Sequence, residues 1–472
     1  MATSQTDVVV VGGGPAGSTV ASFLARKGHS VTVFEKEVFP RDHVGESMLP
    51  FCYHIFKELG VLEEMEDRFV RKPGVRFLDT DGVTSTTFCF GHKIEGPSHL
   101  SFQVIRAEMD ELLLDHSADE GAEVFEGASV REVDLAGPAG AAVVRFTGRD
   151  GGESEITTRF VIDASGRSTF LANRMKTKTA HKELERTAIH AHWTNTRYLG
   201  GLQEGMIQIV YTGGEKQGWI WVIPLGRDRL SVGLVMNTSF YQSQRRRLKD
   251  EGISDWKQEL YLREVMLSPF VQEVLHEAEQ MMGVTVEGDY SYTVDSKWGH
   301  NYALVGDASA FIDPIFSSGV YLAMQSARDL SEAVDIRLSK GVEAGAEAMT
   351  QTYDRIVGAY ALVDKLIRLF YTPNVLNFAQ LGSAADAFED YDHYANAIGL
   401  QHFLLAGDFF EQANKYSDFV DGLRDPRYFD MYQNLVMKRP SFQADGSCGM
   451  SPAAIFPPKL AEHEARRAAL GI

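Results

Sequence analysis

The sequence predicts an α/β protein with a nucleotide-binding sheet at the N-terminus, a second sheet and a mostly helical C-terminal region. Three observations support this class. Residues 7–34 have the pattern strand, glycine loop, helix, strand. Residues 74–87 and 207–235 contain short alternating, aromatic-rich runs separated by turn residues, which is typical of a separate sheet. Beyond residue 320 the pattern becomes helical.

The N-terminal unit is defined by local signals that agree with one another. Residues 7–11 form a β-branched run that predicts a strand, and residues 30–34 predict a second strand. Pro15 suits the first turn of the intervening helix, where its missing N–H would have no partner anyway. Gly28 can end that helix in a left-handed conformation. The unit is therefore predicted to be βαβ.

Later strands are expected to complete the first sheet. Residues 159–164 and 302–306 are strand-like and end in polar, glycine-containing turns, so the first domain is predicted to be discontinuous. The predicted division is a nucleotide-binding domain at 1–72, 100–180 and 286–330, a sheet-containing substrate layer at 73–99 and 181–285, and a helical region at 331–472.

Composition argues against several classes of partner. The 65 acidic and 46 basic side chains give a formal net charge of -19, which repels nucleic acid and anionic membrane surfaces. The apolar runs are too short to cross a bilayer and no secretory leader is recognised, so a cytoplasmic location is expected. Cys52, Cys89 and Cys448 are odd in number and widely spaced, so we expect reduced thiols and no metal site.

The glycine loop carries the first chemical signal. Residues 12–17, GGGPAG, fit the dinucleotide-binding pattern G-x-G-x-x-G. Gly12 permits the tight turn, Gly14 lets a pyrophosphate approach the backbone, and Gly17 allows the helix to pack on the strand. Glu35 ends the second strand, where a carboxylate can bind ribose hydroxyls. A glycine turn without a ligand is the alternative, and the loop alone does not distinguish NAD from FAD.

Two further motifs resemble those of the glutathione-reductase-like FAD superfamily. Residues 306–308, GDA, resemble its flavin and ribose contact, and residues 163–167, DASGR, resemble its middle motif. Arg106 lies where relatives use an arginine to hold FAD, although a solvated charge at a helix start is the alternative. The resemblance implies an FAD-binding Rossmann domain with cofactor contacts at Gly12, Gly14, Pro15, Ala16, Gly17, Glu35, Lys36, Arg41, Ser47, Arg106, Asp163, Asp307, Pro314 and Gly319.

A tryptophan motif narrows the resemblance to one family. Residues 219–224, WIWVIP, match the W-x-W-x-I-P signature of flavin-dependent halogenases at every specified position. In a strand the two indoles point to the same face. The resemblance implies a wall that separates substrate from flavin, with Trp219, Trp221, Ile223 and Pro224 lining a substrate tunnel. A pair of core tryptophans on a sheet is the alternative.

A lysine segment resembles the same family. Residues 71–77, RKPGVRF, are similar to the halogenase segment that carries the catalytic lysine, which maps to Lys72. Pro73 biases Lys72 towards an extended conformation. The alternative is an ordinary surface charge. With the tryptophan motif present, we favour catalysis.

A turn after the GDA motif is expected to bind the halide. Residues 313–320, DPIFSSGV, begin a helix whose free amides attract an anion, and the resemblance places the halide at the backbone of Ser318 and Gly319. Other FAD monooxygenases use such a helix cap without halide, so this motif separates the classes only weakly. Residues 45–50, GESMLP, also match a flavin-proximal segment of the family.

One departure from the pattern of the tryptophan halogenases bears on the choice of substrate. Tryptophan halogenases have a glutamate at the position of Phe316, so the base that assists their substrate is missing here. We therefore expect a ring that activates itself, a phenol or a pyrrole, either free or tethered to a carrier protein. The basic run 245–247 could dock an acidic carrier or could be a solvated helix face.

Taken together, the resemblance implies an FADH2-dependent halogenase of secondary metabolism, such as antibiotic biosynthesis. Its co-substrates are O2 and chloride or bromide, and a separate reductase supplies the reduced flavin. Three alternatives stay open: an aromatic monooxygenase that uses NADPH, a reductase of isoprenoid double bonds, and a catalytically silent flavoprotein. Lys72 and the tryptophan pair favour the halogenase, since a monooxygenase has no chemical use for them.

Overall fold

The computed structural model describes residues 4–92, 94–137, 140–288, 291–372, 378–380, 404–411, 413–423 and 447–470. Parts of the predicted helical region 331–472 lie outside these residues. Within the described part of the chain, no helix is long and apolar enough to cross a membrane, and no His, Cys, Asp and Glu side chains form a group that could hold a metal ion.

The described residues contain twenty strands. They are β1 (Ser4–Val11), β2 (Val31–Glu35), β3 (Val70–Lys72), β4 (Gly74–Leu78), β5 (Ser85–Cys89), β6 (Ser101–Gln103), β7 (Glu123–Glu126), β8 (Ser129–Asp134), β9 (Ala142–Thr147), β10 (Glu153–Asp163), β11 (Lys178–Ala180), β12 (Arg186–Thr194), β13 (Ile207–Thr212), β14 (Gly218–Pro224), β15 (Leu230–Asn237), β16 (Glu279–Gln280), β17 (Thr285–Gly288), β18 (Tyr292–Val294), β19 (Tyr302–Leu304) and β20 (Ala310–Phe311).

Thirteen α-helices accompany them in the same residues. They are α1 (Pro15–Arg26), α2 (Cys52–Leu59), α3 (Leu62–Arg68), α4 (Arg106–Asp119), α5 (Phe170–Met175), α6 (Thr238–Asp250), α7 (Trp256–Val265), α8 (Pro269–Val274), α9 (Gly319–Lys340), α10 (Val342–Tyr371), α11 (Ala413–Leu423), α12 (Pro452–Ile455) and α13 (Leu460–Leu470).

The first sheet has the order β7-β2-β1-β10-β9-β8, with β19 paired to β10. Strands β1, β2, β10 and β19 run parallel, so their carboxyl ends meet at one edge. Val11 is level with both Phe34 and Asp163 in the register. Ligands bind at this edge in open α/β sheets. Helix α1 packs against α4 and α9, which cover one face of the sheet.

The second sheet contains the tryptophan motif. Its order is β16-β12-β15-β14-β13-β4-β5, with β17 paired to β12. Every residue of β14 is buried, which matches a sheet with both faces covered. The two sheets and the following helices confirm the predicted class, an α/β protein with a glutathione-reductase-like FAD-binding fold, an added sheet and a helical C-terminal region.

The cysteine prediction is wrong for two of the three residues. Cys89 and Cys448 form a disulfide between positions 359 residues apart in sequence, and only Cys52 is a free, buried thiol among the described residues. The bond ties the C-terminal segment to β5. Spacing along the chain did not reveal the pair because the contact is made only when the C-terminal segment folds back onto the second sheet.

The C-terminal segment is also held by packing and by charge. Ile455 and Leu460 are fully buried against Val70 at the start of β3. Arg467 forms an ion pair with Glu108 of α4. The segment therefore covers the outer side of the strand that ends at Lys72.

Candidate active site

The glycine loop forms one end of a large cavity. Gly12 has a φ of 107°, which favours glycine. A side chain at Gly12 would overlap the carbonyl of Ala164, and one at Gly17 would overlap the carbonyl of Gly12. Helix α1 begins directly after Gly14, so its free amides face the cavity. The loop therefore has the form required to hold a pyrophosphate.

The cavity has a volume of about 730 Å3 and runs from the glycine loop to the tryptophan strand. Most of the cofactor contacts predicted from the sequence line it. Those lining residues are Gly12, Gly14, Pro15, Ala16, Glu35, Lys36, Arg41, Ser47, Arg106, Asp307, Pro314 and Gly319. Gly17 and Asp163 are the two that do not.

Glu35 is fixed by the backbone around it. One carboxylate oxygen accepts a hydrogen bond from the Gly13 amide at 2.7 Å, and the other accepts one from the Glu37 amide at 2.9 Å. A carboxylate has about four acceptor positions, so Glu35 can still accept hydrogen bonds from ribose hydroxyls. Lys36 is largely exposed and lies 3.9 Å from the Glu37 carboxylate, so it lies at the rim.

Two arginines converge on one buried carboxylate beside the cavity. Arg106 donates to both oxygens of Asp110, at 2.8 and 2.9 Å, and Arg41 donates to the same group at 2.8 Å. Burial raises the pKa of Asp110, but the two arginines hold it below its ordinary value. Arg41 also pairs with Glu37 at 3.3 Å, so the two guanidinium groups at the cavity wall are balanced by two carboxylates. Guanidinium N–H groups are strong donors to phosphate oxygens, and Arg41 and Arg106 both line the cavity.

Ser47 provides a test of whether the cavity suits FAD. Its side chain is 6% exposed and lines the cavity, and its hydroxyl has no hydrogen-bond partner among the described residues. A buried polar group without a partner costs free energy unless a ligand satisfies it. The orphan hydroxyl, the glycine loop and the arginine cluster together fit a dinucleotide cofactor.

The two acidic residues of the FAD motifs have different surroundings. Asp163 is fully buried and accepts hydrogen bonds from the amides of Ser165 and Leu171, at 3.0 and 2.7 Å. It therefore shapes the turn, while its neighbours Ala164 and Ser165 line the cavity. Asp307 lines the cavity itself, and burial raises its pKa to about 6 against the opposing charges of Arg167 and Arg106.

The expected anion turn lies at the inner end of the cavity. Ser317 adopts a left-handed conformation with a φ of 55°, and the chain then enters the 22-residue helix α9 at Gly319. Ser317 and Gly319 line the cavity, and Ser318 is buried at the N-cap. The free amides at this helix start present positive partial charge to the cavity.

The tryptophan motif forms a wall of the same cavity. Trp219, Trp221 and Ile223 line it, and the two indole rings lie 5.8 Å apart. Pro224 ends β14 and does not line the cavity. Gly233 on the neighbouring strand leaves room for the ring of Trp221, because a Cβ there would overlap the indole. The predicted orientation of the indoles towards one face is therefore correct.

Lys72 is buried rather than at the surface. Its side chain is 1% exposed, and its ammonium donates to the carbonyl of Met48 at 3.0 Å and lies 5.6 Å from the ring centre of Phe90. Burial lowers the pKa of Lys72 to about 7, with a small opposing effect from Cys52. Lys72 does not line the FAD cavity. Its ammonium instead contacts Met48, the residue that follows the cavity-lining Ser47.

Phe316 belongs to an aromatic cluster beside the anion turn. Its ring is 6.0 Å from that of Phe370 and 5.7 Å from that of Phe378. Phe378 also stacks on Phe77 at 5.0 Å. Phe316 is 4% exposed. Phe316 is therefore part of the hydrophobic core, does not line the cavity, and offers no carboxylate.

Sequence reasoning missed a buried polar chain beside the cavity. His192 contacts the carboxylate of Glu46 at 2.7 Å and the guanidinium of Arg229 at 2.9 Å. Arginine can only donate, so the nitrogen facing it accepts and the opposite ring nitrogen donates to Glu46. Burial raises the pKa of Glu46, but His192 and His190 hold it below its ordinary value. The GESMLP match was the only available signal for Glu46.

Comparison with known proteins agrees with this geometry. A family model described as an FAD binding domain matches residues 5–357. The fold and the cavity thus define an FAD-binding oxidoreductase. The 1H-pyrrole-2-carbonyl-peptidyl-carrier-protein chlorinase of Pseudomonas fluorescens is 32% identical over 80% of this chain and 86% of that protein. The chain belongs to the flavin-dependent halogenase family.

Two further relatives extend the comparison. The flavin-dependent halogenase armH3 of Armillaria mellea is 34% identical over 68% of this chain, and the match spans 65% of that protein's length. The crystal structure of the myxobacterial chondrochloren halogenase CndH aligns with a TM-score of 0.70 at 29% identity, over 92% of this chain and 97% of that one.

Proposed function

We propose that the chain uses reduced FAD, O2 and chloride or bromide to halogenate an electron-rich aromatic ring, a phenol or a pyrrole. The observation that carries the proposal is the burial of Lys72, a lysine with a lowered pKa, next to a cavity that combines a dinucleotide loop, a tryptophan wall and an anion-binding turn. Reduced FAD, when bound, would supply two electrons that reduce O2 to the peroxide level, and that oxygen would oxidise the halide to hypohalous acid.

The chain holds FAD mainly through the glycine loop and through Glu35. The amides of the loop and of the α1 N-terminus hold the pyrophosphate, and the Glu35 carboxylate accepts hydrogen bonds from ribose hydroxyls. The arginine pair around Asp110 supplies guanidinium donors beside the phosphates. Asp307 and the unpartnered hydroxyl of Ser47 provide polar contacts deeper in the cavity.

The halide is proposed to bind the backbone of Ser318 and Gly319. The turn supplies free amides at a helix start that line the cavity, so a small anion is stabilised there without a metal ion. Trp219 and Trp221 close the wall next to it. A ring the size of the substrate therefore stays on the far side of the wall from the flavin.

Lys72 is proposed to carry the oxidised halogen to the ring. With a pKa of about 7, a large share of the side chain is a neutral amine at neutral pH, while the rest is an ammonium. The amine can react with hypohalous acid to form a haloamine, in which case the O–X bond breaks and water leaves, and the ammonium can hold hypohalous acid by a hydrogen bond. Both routes require the lysine to stay away from bulk water, as its burial provides.

The substrate class follows from Phe316. Its ring packs in an apolar, aromatic cluster with Phe370 and Phe378 and offers no carboxylate to take a proton from the ring being halogenated. A partly ionised phenol or a pyrrole has enough electron density to react without that base. The ring is free or tethered to a carrier protein, and the P. fluorescens relative, whose name specifies a carrier-bound pyrrole, supports testing the tethered form.

We further propose that a separate flavin reductase supplies the reduced cofactor. The described residues contain one dinucleotide loop, and the Glu35 carboxylate beside it is assigned to FAD ribose, which leaves no second loop for NADPH.

A substrate panel tests this function. The purified chain is mixed with FAD, a flavin reductase, NADH, O2 and bromide or chloride, and a phenol, a free pyrrole, a carrier-tethered pyrrole and free tryptophan are each analysed by mass spectrometry. We expect halogenated phenol or pyrrole and little halogenated tryptophan. Efficient, regioselective halogenation of tryptophan alone would contradict the substrate assignment, because it would require a base that Phe316 cannot supply.

A further inference from the structure

A buried carboxyl group lies immediately before the anion turn. Asp313 is fully buried, and one of its oxygens accepts a hydrogen bond from the Ile315 amide at 3.0 Å, which caps the short 3-10 helix Pro314–Phe316. Ser317 then turns the chain into the N-terminus of α9. The carboxyl therefore precedes the residues assigned to the halide, Ser318 and Gly319, by five and six positions along the chain.

The second oxygen of Asp313 connects the turn to the tryptophan wall. It accepts a hydrogen bond from the hydroxyl of Tyr371, at the end of α10, at 2.8 Å. The same hydroxyl accepts one from the indole N–H of Trp219 at 2.8 Å. A single chain of contacts thus joins the wall, the tyrosine, the carboxyl and the halide turn.

The charged surroundings of Asp313 come from two other elements. The guanidinium of Arg186, on β12, lies 4.3 Å from the ring centre of Tyr371, and its Nε has no hydrogen-bond partner among the described residues. The positive charge therefore reaches the carboxyl across an aromatic ring rather than through a direct ion pair. Asp307, a second carboxyl group whose pKa is raised by burial, lines the cavity, whereas Asp313 lies behind the lining.

Burial raises the pKa of Asp313 to about 6, while the Tyr371 hydroxyl, the Ile315 amide and Arg186 act in the opposite direction. An ionised carboxylate that is fully buried would repel a halide near it more strongly than an exposed one would, because little solvent screens the two charges. A protonated carboxyl removes that repulsion and keeps its position in the chain of contacts.

We propose that Asp313 is a positioning residue that takes up a proton when the halide binds, so that the turn at Ser318 and Gly319 receives halide and proton together. This inference rests on the proposed function, because it takes that turn as the halide site. The overall reaction, FADH2 + O2 + X⁻ + H⁺ giving FAD + HOX + H2O, consumes one proton for each halide. A site that binds the two together meets this requirement without changing its own net charge.

The proposed proton uptake predicts that chloride binding weakens as the pH rises. Where Asp313 is already protonated in the halide-free site, the halide Kd does not depend on pH. At higher pH a proton must be taken up on binding, and the Kd rises by up to tenfold per pH unit. We expect the chloride Kd to rise about tenfold or more between pH 6 and pH 8.

The experiment measures chloride binding without turnover. Oxidised FAD-loaded protein is titrated with chloride between pH 5.5 and 8.5, and binding is followed by the flavin absorbance. Asp313→Asn, which keeps the shape but cannot ionise, is expected to bind chloride with a Kd that no longer changes with pH.

A second variant keeps the test informative if Asp313→Asn does not fold. Tyr371→Phe removes a hydrogen bond to the carboxylate, so the pH at which chloride binding weakens should move upwards. Tyr211→Phe is the matched control, because it removes a buried hydroxyl that accepts from the Phe378 amide and does not contact Asp313. It should leave that pH unchanged.

The outcomes separate this inference from the proposed function. Absence of saturable chloride binding at every pH would remove the halide site itself, and with it the inference. Saturable binding with a pH-independent Kd in the parent protein would overturn the inference alone. A pH dependence that survives Asp313→Asn and disappears in Asp307→Asn would also overturn it, because the proton would then belong to Asp307.

Discussion

Replacing Lys72 with methionine should remove halogenation and stabilise the fold. Methionine has a similar length and no charge, so it can fill the site that encloses the buried lysine. Loss of activity together with a gain in stability is expected for a residue that serves the chemistry and destabilises the fold. Replacing a residue that serves the structure would lower the stability instead.

The size of the effect follows from the pKa of Lys72. Its ordinary value is 10.5, and burial lowers it to about 7. Each pH unit between these values corresponds to about 1.4 kcal/mol, so accommodating the lysine costs the fold about 4 kcal/mol at pH 7. Methionine also leaves the Met48 carbonyl without its donor, which costs about 1–3 kcal/mol. The net gain in the free energy of unfolding is therefore about 1–3 kcal/mol.

The lowered pKa of Lys72 also predicts how its cost to folding stability changes with pH. The folded-state pKa lies below the unfolded-state pKa, so the penalty is full below about pH 7 and fades as the pH rises towards 10.5.

Urea unfolding of FAD-loaded parent and Lys72→Met protein at several pH values measures the difference in stability, and mass spectrometry of reaction mixtures measures halogenated product. Lys57→Met, at an exposed lysine of α2, is the control and should change neither. Near-parental product from Lys72→Met would refute the catalytic assignment, and a stability difference that is constant up to pH 10 would refute the electrostatic reasoning.

Three more predictions follow from the site. Glu35→Ala should weaken FAD binding tenfold to a hundredfold, since hydrogen bonds to a charged group are worth about 1.5–3 kcal/mol, and fluorescence titration of the apoprotein measures this. NADPH without a reductase should leave bound FAD oxidised in stopped-flow absorbance, and rapid reduction would favour a monooxygenase. With a phenol substrate, the halogenation rate should rise with pH as the phenol ionises, because Phe316 supplies no base; an unchanged rate across the phenol pKa would contradict this.

Local patterns predicted the nucleotide-binding unit closely. The strand expected at residues 7–11 is Ser4–Val11, the helix expected between Pro15 and Gly28 is Pro15–Arg26, and the strand expected at 30–34 is Val31–Glu35. Each is specified by its own residues: a β-branched run, a proline in the first turn, a closing glycine. The two indoles share a face for the same reason, since alternation along a strand is a local property.

The parts that could not be predicted depend on contacts between distant segments. Cys89 and Cys448 meet only because the C-terminal segment folds back, and their spacing gives no sign of it. Tyr371 reaches Asp313 across 58 residues, and the helix pattern at its position predicts nothing about a carboxyl elsewhere. The burial of Lys72 is likewise set by packing from several segments.

A single-turnover reaction tests the central claim most directly. FAD-loaded protein is reduced chemically, then mixed with O2, bromide and a phenol, and the product is analysed by mass spectrometry. We predict a brominated phenol with the two-isotope pattern of bromine, absent when bromide is omitted and absent with Lys72→Met. A hydroxylated phenol that forms equally well without bromide would contradict the account and identify the chain as an oxygen-inserting enzyme on the same fold.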